Sequence, residues 1–337
     1  MFEDIEGNFS PTHGDPREYD VPGITPLLET TRIGQYGTSD HAPTPIEYPE
    51  ELGSLLNSKL KALVVKNLTR NEIQNDAEAL KAIRAEGDAL IKAGTWLEST
   101  VMSRDKLVSD SLKNKTPVHI ADLLTICGIK HWEDPSRRKH KGRICYMGNC
   151  GKDEYGKAAV YQDLSSSPTS MFDANLNLCY GAAPGNITTA ADAVRAYVQS
   201  LLKSTRETWV VIPYELWPKD GSWQKRGFSR SGGNRPVCLL KKALYGHPES
   251  GAHWEAHLTK AVKSCGGVAV PEHPSTFWFP NEKQLLTVYV DDLMLSGPIA
   301  GQSAVWSRIS KSVNIEDPEP IDRFLGRTHA IRSLPKP

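Results

Sequence analysis

The order of apolar and polar positions divides the 337-residue chain into segments of different period. From Pro49 onward, Leu52, Leu55, Leu56, Leu60 and Leu63 recur at helical spacing and predict a helix. A second helix is marked at both ends. Thr69-Arg70-Asn71-Glu72 has the form of a capping box, Leu80, Ile83, Leu90 and Ile91 give a partial apolar face, and Gly94 supplies the stop. Between Thr95 and Leu178 the pattern weakens into short strands and loops. Ala191, Val194, Tyr197, Val198 and Leu201 predict a helix over 190–202, with Asp192 at its start, where the helix dipole favours an acid. Val237–Leu240 reads as a strand, and Lys241–Trp254 opens a helix that runs towards Lys263. Thr276–Phe279 is a short strand, Ala304–Ser312 a helix, and Phe324-Leu325-Gly326 part of a last extended segment.

One stretch stands apart. Leu285–Gly297 has two β-prone apolar arms with Asp291 and Asp292 at the point where the chain must turn. Buried adjacent carboxylates cost several kcal/mol each in lost hydration and repel one another unless a cation or good hydrogen bonds compensate. Hard divalent ions such as Mg²⁺ are held by one or two carboxylates together with substrate phosphates. The stretch therefore reads either as a phosphoryl-transfer metal site on a hairpin or as an exposed turn, for which Asp is well suited.

Composition narrows the setting. Residues 1–60 carry 11 acidic and 3 basic side chains, which, from totals of 40 each, leaves 37 basic and 29 acidic beyond residue 60. That mildly basic body permits a nucleic-acid partner. Residues 1–45, interrupted by Pro11, Pro16, Pro22, Pro26, Pro43 and Pro45, read as a disordered acidic leader, with lead-in helices over 46–81. No apolar run is long enough for a membrane span, and the acidic N-terminus is unlike a signal peptide. The six cysteines form no Cys-x-x-Cys pair and read as reduced intracellular thiols. His253 and His257 lie at i, i+4, but Glu255 stands in the wrong place for His-Glu-x-x-His, so no zinc site is expected. The cluster Arg137-Arg138-Lys139-His140-Lys141-Gly142-Arg143 is either a solvated face or a set of donors suited to phosphate oxygens.

Tyr289-Val290-Asp291-Asp292 between apolar arms, preceded by Leu240-Lys241-Lys242-Ala243-Leu244-Tyr245-Gly246 and Trp254, resembles the reverse transcriptase domain of copia-type retrotransposons. Further matches are Gly94-Thr95-Trp96, Lys141-Gly142-Arg143-Ile144 with Gly148, the Asp192–Gln199 segment, and Phe324-Leu325-Gly326, so the resemblance covers about Ala82 to His329. It implies an α+β right-hand polymerase fold over 82–337, fingers and palm built on an antiparallel palm sheet with packed helices. It implies RNA-directed DNA polymerase activity with two divalent ions, Mg²⁺ or Mn²⁺, held by Asp192, Asp291 and Asp292. Asp192 is then a catalytic carboxylate rather than a helix-start acid.

By the same resemblance, Lys141, Arg143, Tyr197, Glu249, Ser250 and Gly251 bind the nucleotide, with Tyr197 beneath its sugar. Tyr289, Val290, Phe324, Leu325 and Gly326 contact primer and template. The implied partners are an RNA template, a DNA primer and deoxynucleoside triphosphates, and in an intact element the integrase and ribonuclease H of the same polyprotein. The implied setting is cytoplasmic, with virus-like particles and the nucleus as alternatives. Three segments depart from the family: Glu249 stands where it carries Gln, Gln199-Ser200 where it carries Asn-Gly, and Arg327-Thr328-His329 where an apolar-acidic ending is usual. They leave open an alternative: a catalytically inactive remnant that keeps the fold and at most weak nucleic-acid binding.

Overall fold

A computed structural model of the chain describes residues 65–162 and 166–329. The acidic leader 1–45 and the helix expected from Pro49 to Leu63 lie outside the described residues. After a short strand β1 (Lys66–Asn67), the Thr69 hydroxyl accepts from Glu72 N while the Glu72 carboxylate accepts from Thr69 N, which starts α1 (Arg70–Asn75) as a capping box. The expected single helix is two. Asp76 takes extended backbone angles (φ −114°, ψ 108°), ends α1, and caps α2 (Ala77–Lys92) by accepting from Glu78 N and Ala79 N. Ile83 and Leu90 are buried as their spacing predicts, and Gly94 with φ +70° follows the helix end.

The region from 95 to 178 is more regular than its pattern predicts. It holds β2 (Trp96–Ser103), α3 (Arg104–Asn114), β3 (Val118–Lys130), β4 (Lys139–Tyr146), β5 (Lys152–Asp153) and α4 (Met171–Gly181). β3 runs for 13 residues. It gives no alternating signal because Val118–Ala121 is buried throughout, where it pairs in parallel with β7 (Glu207–Val211). Its second half forms a hairpin with β4, from Leu123↔Tyr146 to Lys130↔Lys139, so the basic cluster of 137–143 largely lies on a strand.

The rest of the chain supplies β6 (Asn186–Asp192), α5 (Ser222–Lys225), β8 (Pro236–Leu240), α6 (Ser250–Ser264), β9 (Val268–Ala269), β10 (Thr276–Phe279), β11 (Gln284–Tyr289), β12 (Asp292–Pro298), α7 (Ile299–Ile309), β13 (Glu319–Pro320), β14 (Arg323–Phe324) and β15 (Arg327–Thr328). The helix expected over 190–202 is absent. Ala190 and Ala191 belong to β6, and after Asp192 the chain turns through Arg195 at φ 51° into a single 3-10 turn, Ala196–Gln199. The backbone there is claimed by the β6–β12 ladder, which pairs Ala190 with Met294 and Ala191 with Leu293.

The architecture is mixed α+β. One sheet runs β1-β3-β7-β8-β2, with β4 and β5 also paired to β3; the second is antiparallel in the order β13-β6-β12-β11-β10-β9. Leu286, Val288, Leu293 and Leu295 point from the second sheet into a core shared with Trp254, Leu258 and Val262 of α6 and Val305, Trp306 and Ile309 of α7. The opposite face packs on α4, where Asn177 donates to Thr287 Oγ1 (2.9 Å) and Met294 O (3.0 Å). Helices thus cover both faces of this sheet and leave one end of its central strands open. No described helix is long and apolar enough to cross a membrane.

Candidate active site

β11 and β12 are joined by the two-residue loop Val290-Asp291, closed by the Tyr289↔Asp292 pair. Val290 has φ 57°, a region that a β-branched residue rarely enters and that hairpins of this length usually give to Gly or Asn. Tertiary contacts hold it there: Trp254 Nε1 donates to Val290 O (2.7 Å), and Ala193 N donates to Asp291 O (2.7 Å). Helix α6 and the end of β6 therefore fix the loop from two sides.

The ladder sets Asp292 directly opposite Asp192. Paired residues share a face, so both carboxylates project on the side that α4 covers farther along, beyond Met294 and Ala190. Burial raises the Asp292 pKa to about 6, and the negative charges of Asp291 and Asp192 add to the rise, as does a hydrogen bond from protonated Asp292 to Asp192; Arg323 opposes it. The donor set is all carboxylate oxygen, which suits Mg²⁺ or Mn²⁺, and the proton drawn to Asp292 answers an excess of negative charge that a cation would also answer. Among the described residues, however, no three His, Cys, Asp or Glu side chains stand grouped as a ready metal cage. The residues provide a carboxylate pair, with a third acid in the adjoining turn.

Cations and rings surround the acids. Lys141 and Arg143 are exposed on β4. Partial desolvation holds the Lys141 pKa below its ordinary value, with Lys130 and Arg143 pushing the same way and Glu86 and Asp291 opposing. Burial raises the Tyr197 phenol, as do Asp291 and Tyr289, and burial pushes Tyr245 up to about 12, helped by Asp291 and Tyr197. The two tyrosine rings meet edge to face at 4.6 Å between centroids. Tyr289 is 39% exposed beside the turn.

The remaining residues singled out in the sequence make different contacts. Glu249 is 1% exposed and accepts from Gln162 N (2.9 Å) and the Ser204 hydroxyl. Burial works to raise its pKa, but those hydrogen bonds, with His247 and His253 nearby, outweigh it and hold the carboxyl below its usual value. Ser250 is buried, its hydroxyl donating to Leu244 O and accepting from Leu244 N. Gly251 borders a crevice of about 30 Å³ with Tyr197, Trp254, Val288 and Val290. Phe324 is buried against Ala174, Met294 and Ile321, while Leu325 and Gly326 form the turn of a small β14–β15 hairpin rather than an extended segment.

Four residues about the site went unassigned in the sequence. Tyr245 and Trp254 stood inside a recognised motif but without a role, and Arg323 and Glu86 carried no local signal. A cavity of about 1430 Å³ lies between α1, α2, β3 and β7, and none of the three aspartates lines it. Asp192 is exposed at the sheet end, and Asp291 and Asp292 are half-buried.

No family model matches the chain. Over 107 residues it is 29% identical to the retrovirus-related Pol polyprotein from transposon TNT 1-94 of Nicotiana tabacum. The match spans 31% of this chain and 8% of that polyprotein. This likeness to a retrotransposon Pol polyprotein supports a retrotransposon Pol origin for the chain.

Proposed function

We propose that the chain is an RNA-directed DNA polymerase domain, or a fragment of one, from a copia-type retrotransposon, with the first sheet as fingers and the second as palm. The observation that carries the reading is the opposition of Asp192 and Asp292 on one sheet face with Asp291 in the adjoining turn. The activity is nucleotidyl transfer from a deoxynucleoside triphosphate to a DNA primer on an RNA template. Asp192, Asp291 and Asp292 would hold Mg²⁺ or Mn²⁺. When bound, two such ions activate the primer 3′-hydroxyl and stabilise the leaving pyrophosphate in an in-line displacement.

The chain's own groups do the rest. Asp292, whose pKa is raised to about 6, would have to be ionised to serve as a metal ligand. Lys141 and Arg143 neutralise the triphosphate, Tyr197 lies against the nucleotide sugar, and Tyr289 and Val290 meet the primer end. The Phe324–Gly326 hairpin grips the primer strand. Glu249 takes no part in nucleotide contact, because its carboxylate is buried and committed.

The test is extension of a DNA primer on an RNA template with Mg²⁺ or Mn²⁺, comparing the native chain with Asp291→Asn. Metal-dependent product from the native chain alone is expected. Equal product from both, or none from either, rejects an active polymerase. Absence of product with the native fold intact supports the second reading, an inactive remnant with at most weak nucleic-acid binding. That reading draws on the lack of a ready three-ligand group among the described residues.

A further inference from the structure

Tyr245 has no assigned role, yet it packs on Tyr197 and lies within the field of Asp291 and Arg143. Its ring packs edge to face on Tyr197, and its phenol feels the charges of Asp291, Arg143 and Glu86. Its backbone is tied on both sides. Tyr146 N at the end of β4 donates to Tyr245 O (2.7 Å), and the segment before it is stitched to the chain after Tyr197 by Ala243 N to Ser200 O (3.1 Å) and Leu202 N to Lys241 O (2.9 Å). Gly246, at φ +86°, lets the chain turn against Tyr146, where a Cβ would strike the Tyr146 carbonyl oxygen. Tyr245 is therefore held rigidly relative to both the basic strand and Tyr197.

On its other side Tyr197 borders only a crevice of about 30 Å³ lined by Gly251, Trp254 and Val290, so the room into which its ring could withdraw is the volume that the Tyr245 ring fills. We infer that Tyr245 is a positioning residue that presses the Tyr197 ring towards the nucleotide site and thereby sets which sugar that site accepts. This rests on the reading that a nucleotide docks beside Asp291. A flat ring held at a fixed place excludes one additional hydroxyl by contact, whereas a ring free to withdraw does not.

The experiment measures binding without turnover. The full chain is loaded with a primer–template whose primer ends in a 3′-deoxy nucleotide and cannot react, and the Mg²⁺-dependent affinities for dCTP and CTP are compared. The native chain is expected to prefer dCTP. Tyr245→Ala should lower the dCTP-to-CTP affinity ratio about tenfold, mainly by tightening CTP, and Tyr245→Phe, which keeps the ring contact, should retain it. A purely structural role would weaken both nucleotides together. Tyr245→Leu, which fills apolar volume without a flat ring, should behave like Ala and covers the case in which truncation unfolds the chain. A native preference left unchanged in Tyr245→Ala and Tyr245→Leu overturns this inference alone, as does equal native affinity for dCTP and CTP. No native affinity for either nucleotide overturns the proposed function and this inference with it.

Discussion

Asp292 stands directly across the β6–β12 ladder from Asp192, so two acids 100 positions apart in sequence share one face at the end of a sheet. Directly opposed Cβ atoms in antiparallel strands are about 4.5–5.5 Å apart, and like charges there are destabilising. Below about pH 6 a proton on Asp292 relieves the repulsion. A divalent cation would relieve it as well, and several measurable consequences follow from this and neighbouring features.

The Asp292 pKa is raised to about 6, above its ordinary 3.8, so in the metal-free protein its favourable contribution is complete below about pH 4 and lost as pH rises through about 6. Asp292→Asn removes that loss. At pH 7.5 the variant should unfold at higher urea than the native chain by about 1 kcal/mol, with the gap closing at pH 4.5. Mg²⁺ should stabilise the native chain more at pH 7.5 than at pH 5, because at the lower pH it must displace the proton. Identical urea midpoints at pH 7.5 would show that the two acids do not repel.

Glu249→Gln restores the residue usual in the resembled family. Here it should cost about 1 kcal/mol of stability, since the Ser204 and Gln162 bonds lose their charged acceptor. Nucleotide KM should stay within about twofold. A large fall in KM with unchanged stability would place the carboxylate in the nucleotide site instead.

His247 is buried at the joint of Tyr146 and Tyr161, and burial lowers its pKa to about 4, with Glu249 opposing and His253 and His119 reinforcing the fall. An unfolded chain protonates this ring near pH 6.5, so the stability it allows is present above that pH and lost as pH falls towards 4. His247→Phe should flatten this part of the profile. Asp292 has the opposite slope between pH 4 and 6, so the comparison is the difference between the native and His247→Phe urea midpoints at pH 7 and pH 5, which should narrow or reverse at pH 5.

Gly142 sits where β4 passes under α2. A Cβ there would lie 2.6 Å from Ala82 O and 2.7 Å from Ile83 Cα, and these are backbone atoms that cannot turn aside. Gly142→Ala should destabilise by about 2–3 kcal/mol in urea unfolding and shift Lys141 and Arg143 on either side. An unchanged midpoint would mean that the helix and strand are not in this contact.

Where local chemistry suffices, the sequence was legible. The capping box at Thr69, the stop at Gly94, the strands Thr276–Phe279 and Val237–Leu240, and the acidic hairpin all follow from neighbours within a few residues. Where burial erased the period, it was not. β3 is buried on both faces over its first residues, and the spacing of Ala191, Val194, Tyr197 and Val198 fits a helix as well as it fits a strand end followed by a 3-10 turn.

Asp192 shows the division. The residues around it, read alone, place it at a helix start. Only β12, a hundred residues later, converts its backbone into a ladder strand, and that non-local pairing turns an isolated acid into half of a carboxylate pair. Glu249 shows the converse, because its type suggests repulsion of a triphosphate, while the fold buries it and supplies Ser204 and Gln162 as donors. The sequence by itself determined the hairpin and its two acids, since turn chemistry and alternation are local. The tertiary structure decided which acids are paired and why the Asp292 pKa rises, since those depend on strand pairing between distant segments and on the dielectric that packing creates.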